Sequence, residues 1–107
     1  MNGAAAFFPA PPNNSQYGYK TCKITQVWNP LCYLLWEPDQ NLNPGCYGDA
    51  SSYPDSSEGL GRLHVKGGNV LALGGNTLFM SIATFQNEQN LTSKNLLWWN
   101  PKTPNGH

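Results

Sequence analysis

The chain has 107 residues, a formal net charge of zero, and only 11% charged side chains, against roughly a quarter in an average soluble protein. That is enough for one domain and one core, and it leaves no positive field to hold nucleic acid or an anionic membrane. Polarity comes instead from amides and hydroxyls, with 13 asparagines, a surface common in secreted and assembly-forming proteins.

Residues 1–18 carry Pro9, Pro11, Pro12 and several Asn, Gly and Ser, which read as an irregular lead-in to a single domain over 19–107. The opening "MNGAAAFFPAPP" has neither a basic start nor an apolar stretch long enough for a signal peptide, and no run reaches the roughly 20 apolar residues of a membrane span. The chain as written is therefore expected to make no membrane contact. "YKTCKITQVW" is rich in Thr, Ile and Val and predicts an extended segment over 19–28, ending at Asn29-Pro30. "LCYLLW", Leu31 to Trp36, is a continuous apolar run that fits a strand covered on both faces or a central one.

From Glu37 to Glu58 there is no Lys or Arg, yet Glu37, Asp39, Asp49, Asp55 and Glu58 all fall there among Pro, Gly, Asn, Ser and Tyr. This composition predicts a long ordered loop or a pair of turns. Calcium suits hard oxygen ligands on such a loop, which makes Asp39, Asp49, Asp55 and Glu58 the candidate ligands. The regular alternate-residue ligand spacing of a helix-loop-helix calcium site is missing, so a solvated acidic loop is the plainer reading, and no other cofactor is expected. Cys22, Cys32 and Cys46 lack the paired close spacing of a zinc site, and two histidines cannot complete one. One disulfide among the three, or three reduced and buried thiols, are both open.

In "GRLHVKGGNVLALGGNTLFM" the runs "NVLAL" and "NTLFM" are separated by Gly74-Gly75, the signal of a tight two-residue hairpin with positive φ at both positions. Gly67-Gly68 reads as a second turn, making 62–80 an antiparallel meander of three strands. A phosphate-binding loop would need a Gly-Lys-Ser/Thr ending and a following helix, and neither is here. "SIATFQNEQN" starts on a good N-cap, Ser81, and spaces Ile82 and Phe85 three apart, which predicts a helix of two turns. The tail places Trp98 and Trp99 near the C-terminus, where they are expected to cover a sheet face. The fold class is α+β, mainly β: a small antiparallel sheet, long loops and a short C-terminal helix.

No nucleophile frame accompanies His64, so it reads as structural, bonding loop carbonyls near a turn, and the chain as no enzyme. Trp28, Trp36, Trp98 and Trp99 are either core and edge fillers or a sugar-stacking platform.

The segment "GRLHVKGGNVLALGGNTLFM" resembles the C-terminal motif of bacterial pilin-like proteins, in which a His is followed by nine residues and then Asp-Gly. Here His64 is followed by nine residues and then Gly74-Gly75, so the spacing matches and the aspartate is replaced. "QVWNPLCYLLWEPD", "DASSYPDSSEGLGRLH" and the closing "LLWWNPKTPNGH" are similar to the same family, and together these stretches are spread over most of the chain. The resemblance implies the globular head of a type II secretion pseudopilin or type IV pilin-like subunit, an extracellular or periplasmic filament component whose partners are other pilin-like subunits. His64, Gly67, Gly68, Asn69, Gly74, Gly75, Trp98 and Trp99 carry the motif. Full-length members also have a peptidase-processed leader and an N-terminal apolar helix, neither of which is in the chain as written, so a head without its stalk is expected. A secreted carbohydrate- or protein-binding β module is the alternative function.

Overall fold

The computed structural model describes residues 23–42, 52, 54, 58–101 and 103–107. Among these residues three antiparallel strands form one sheet in the order β1-β2-β3: β1 is Tyr33–Trp36, β2 is Gly67–Ala72 and β3 is Thr77–Ser81. An α-helix, α1 (Ile82–Gln89), follows β3 directly. The lead-in 1–18, Cys22, Cys46, Asp49 and Asp55 lie outside the described residues.

The expected extended segment over 19–28 is instead a 3₁₀ turn, Ile24–Gln26, where it can be described. The Lys23 amide donates to the Gln26 side chain at 2.9 Å, and the Gln26 amide returns to the Lys23 carbonyl at 2.9 Å. Ile24 is exposed and no strand among the described residues lies beside it, so neither a neighbouring strand among them nor a buried face rewards extension here. β1 lies at an edge rather than in the centre, and Leu31 and Leu35 are exposed while Cys32, Tyr33 and Trp36 are buried. The apolar run is continuous because its inner residues pack and its outer ones lie on an open sheet face. The outward edge of β1 meets the C-terminal tail: Tyr33 donates its main-chain N–H to Leu96 at 2.8 Å, and the Trp99 indole donates to the Tyr33 carbonyl at 2.9 Å.

Only two strands, not three, come from 62–80. Residues 62–66 form a tight turn, closed by the Val65 amide on the Arg62 carbonyl at 2.9 Å and the Lys66 amide on the His64 carbonyl at 2.7 Å. Val65 sits at φ +65°, a conformation a β-branched residue rarely adopts. Gly67 and Gly68 open β2 instead of turning the chain. A Cβ on Gly67 would lie 1.9 Å from the Met80 carbonyl oxygen, so the glycine is there for the close approach of β3.

The hairpin at Gly74-Gly75 exists, but its loop is longer than two residues. Gly75 donates to the Ala72 carbonyl at 3.0 Å and Ala72 to the Asn76 carbonyl at 2.8 Å, and of the two glycines only Gly75 has positive φ, +86°. That is a three-residue loop with the left-handed residue last. Gly74 is used differently: its amide reaches the Pro30 carbonyl at 2.8 Å, which ties the hairpin to the chain before β1. The helix starts where expected, with the Thr84 amide donating to the Ser81 hydroxyl at 3.1 Å.

The inner face of the sheet and the helix bury Tyr33, Trp36, Leu60, Val70, Met80, Phe85 and Leu97 in one cluster, with the Trp36 and Phe85 rings edge to face at 5.6 Å. Cys32 and Trp99 form a second cluster beside it. No helix among the described residues is long and apolar enough to cross a membrane.

Candidate functional site

Two of the motif residues, His64 and Asn69, meet where β1 runs out and β2 begins, while Gly74 and Gly75 lie at the hairpin and Trp98 and Trp99 in the tail. Glu37 follows β1 directly, and its amide donates to the Asn69 carbonyl at 3.2 Å, which continues the β1–β2 ladder by one residue. The Glu37 carboxylate then accepts twice from Asn69, from the main-chain N–H at 2.8 Å and from the side-chain amide at 3.2 Å. These two bonds, the main-chain one first, hold the Glu37 carboxyl below the usual carboxylate range, with His64 adding a smaller pull in the same direction. The turn 62–66 brings the His64 ring over this pair: its Nε2 lies 3.3 Å from a Glu37 oxygen and 3.2 Å from the Asn69 amide nitrogen. The edge of the ring meets Phe79 with centroids 6.4 Å apart.

His64 therefore bonds side chains rather than loop carbonyls. Its Nε2 has one role at a time: neutral with the proton on Nδ1 it accepts from Asn69, and protonated it donates to Glu37. Either way the ring ties the turn to the Glu37–Asn69 pair that joins β1 to β2. No hydroxyl or thiol of the described residues is bonded to the ring, and half the side chain is open to water. The arrangement is that of a surface clasp.

Of the candidate calcium ligands, Asp39 and Glu58 lie among the described residues. Asp39 is buried, accepts from the Asn41 amide at 2.9 Å and faces the Arg62 guanidinium at 3.6 Å. The main-chain carbonyl of Glu58 accepts from the Ser52 hydroxyl at 3.2 Å, and that hydroxyl in turn accepts from the Trp36 indole at 3.1 Å. Among the described residues no three His, Cys, Asp or Glu side chains come together around a metal position. Cys32 is a buried free thiol, and desolvation pushes its pKa up to about 11. A shallow groove of about 180 Å³ opens between α1 and the chain around Asp39, with Leu60 and Phe85 in its lining.

Of the four tryptophans, Trp36, Trp98 and Trp99 are buried and Trp28 alone is largely exposed. No coplanar pair faces solvent. Trp98 instead stacks on His107 at 3.9 Å and 13°, and its indole donates to the Gln89 carbonyl at 2.9 Å.

Sequence reasoning missed three participants. Glu37 was one acid among five, with nothing local to single it out from a partner 32 positions away. His107 closes the tail by reaching the Leu91 carbonyl at 3.1 Å. Asn95 is the third, and it had a readable signal, since an Asn two and three residues before amides it can cap is the pattern of a side-chain-closed turn. Its Oδ1 accepts from Leu97 and Trp98, each at 2.8 Å.

Compared with known proteins, the chain matches no protein-family model, no curated protein and no solved structure.

Proposed function

We propose that this domain is the non-catalytic head of a pilin-like filament subunit. The observation that carries the reading is the clasp: the ring of the motif histidine, at its nine-residue spacing before the hairpin, lies within bonding distance of Asn69 of the same motif and of Glu37 just after β1. Such a use of the motif is architectural. It fixes a turn and two strands to one another and leaves the sheet as a rigid unit to be repeated in an assembly. The net-neutral, sparsely charged chain favours the same reading, because like heads can pack side by side with little net charge repulsion. The burial of three of the four tryptophans speaks against a sugar-stacking platform.

Antibodies raised against the purified chain test the proposal in the producing cells by immunogold microscopy and fractionation. Label along filaments or envelope-spanning structures is the expected outcome. Label confined to the cell interior, with all of the protein recovered as free monomer, would overturn it.

A further inference from the structure

We infer that the outer edge of β3 is a self-association surface that pairs with the same strand of a second copy of this chain. The inference deepens the filament-subunit reading by naming the contact, and it can hold or fail separately from it.

The edge follows from the ladder. In the β2–β3 pair the Ala72 amide donates to Asn76, and the Ile82 amide donates to Lys66, which continues the same register at the other end. Hydrogen-bonded pairs alternate along an antiparallel ladder, so Leu78 and Met80 spend their main-chain groups on β2. Thr77, Phe79 and Ser81 therefore point their N–H groups away from the sheet. No described residue bonds these amides. The edge on the other side of the sheet is different, since the Tyr33 amide and carbonyl already bond the tail.

Sheet edges left open usually carry a defence: a Lys, a Pro, a bulge or a covering element. "TLFMS" has no charge and no Pro, its register with β2 is continuous, and Phe79 at its centre is 54% exposed. These features select a second copy as the occupant. A two-fold axis at Phe79 sets that residue opposite its own mate, where the two exchange both hydrogen bonds of the pair, and sets Thr77 opposite Ser81 of the other copy. The operation is self-complementary and sets no charged residue of the strand against its own copy. It also lays two Phe79 rings side by side on the outer face, where Leu35 and Leu71 continue the apolar surface across the sheet.

The test combines light scattering behind size exclusion with hydrogen exchange on the purified chain, from about 10 µM to about 1 mM, a span that covers weak specific association. The expected result is a concentration-dependent dimer in which Thr77 and Phe79 amide protection rises about tenfold or more. Phe79→Lys is expected to stay monomeric while melting within a few degrees of the parent. Asn87→Lys, which adds the same charge on an exposed helical position, is expected to dimerise like the parent. If Phe79→Lys fails to fold, Thr77→Lys replaces it, and the exchange data on the parent chain decide regardless. A chain that stays monomeric across the range overturns the inference, as does a dimer in which Thr77 and Phe79 still exchange freely. Dimerisation through β3 with no filament labelling in cells would sink the filament reading and leave this surface standing.

Discussion

Replacing Asn95 should loosen the whole C-terminal third of the protein. Asn95 is 8% exposed and works in both directions: its oxygen accepts from the Leu97 and Trp98 amides at 2.8 Å, and its nitrogen donates to the Glu88 and Ser93 carbonyls at 3.0 and 3.2 Å. Leu97 is fully buried and Trp98 nearly so, which leaves their amides little chance of finding water in place of the lost oxygen. Two orphaned donors at about 1–2 kcal/mol each put the cost of Asn95→Ala at about 3 kcal/mol. Asn95→Asp keeps the acceptor and loses both donations, so its cost at neutral pH should be smaller, about 1–2 kcal/mol. Urea titration followed by tryptophan fluorescence reads both variants. With a slope of about 1.5 kcal/mol per molar, the alanine variant's midpoint should fall by about 2 M. An alanine variant that loses under about 1 kcal/mol, or two variants that lose the same, would refute the assignment of the tail's stability to these two amides.

The remaining predictions concern backbone, charge and thiol. Val65→Gly should raise the melting midpoint, because it relieves a β-branched residue at φ +65° that is 81% exposed and packs little, a gain of about 1 kcal/mol. Gly67→Ala should unfold the protein or cost several kcal/mol, since its Cβ would fall on the Met80 carbonyl; Gly75→Ala meets nothing within 4 Å and should cost only the strain of φ +86°, about 1 kcal/mol, as read by calorimetry. Glu37 and Glu88 should pull stability in opposite directions with pH. Glu37 is held below its ordinary value, so its contribution is present above the carboxylate range and lost as pH falls through its folded value; Glu88 is raised by burial, with one carboxyl oxygen buried and unpartnered, so its contribution is present at low pH and lost as pH rises. Glu88→Gln should therefore be more stable than the parent at pH 7 and converge with it near about pH 3–4, measured as melting midpoints across pH. Cys32 should resist alkylation at pH 8 in the native protein and react fully in urea, with the site read by peptide mass mapping.

What the sequence determined by itself was local. Ser81 caps the helix because its hydroxyl meets the Thr84 amide within the same turn, and Gly75 turns the hairpin because only glycine takes that φ readily. The alternation in "NVLA" and "TLFM" was enough to pair β2 with β3, since neighbours in sequence need only a short loop to meet. Local signals failed wherever a distant partner chose among permitted conformations. Gly67-Gly68 is as good a turn as a strand by composition, and the approach of the Met80 backbone made it a strand. "KITQVW" has β-branched residues but no strand among the described residues beside Ile24–Gln26, and it curled into a 3₁₀ turn. β1 became an edge because the tail, about 60 residues later, supplied Leu96 and Trp99 to its outward groups. The clasp shows both halves of this division. His64, Asn69 and the spacing to Gly74-Gly75 were legible because they lie on one short segment. Glu37, the carboxylate that gives the histidine and the asparagine their partner, was not, because hydrogen bonds across a sheet join residues whose separation along the chain carries no pattern.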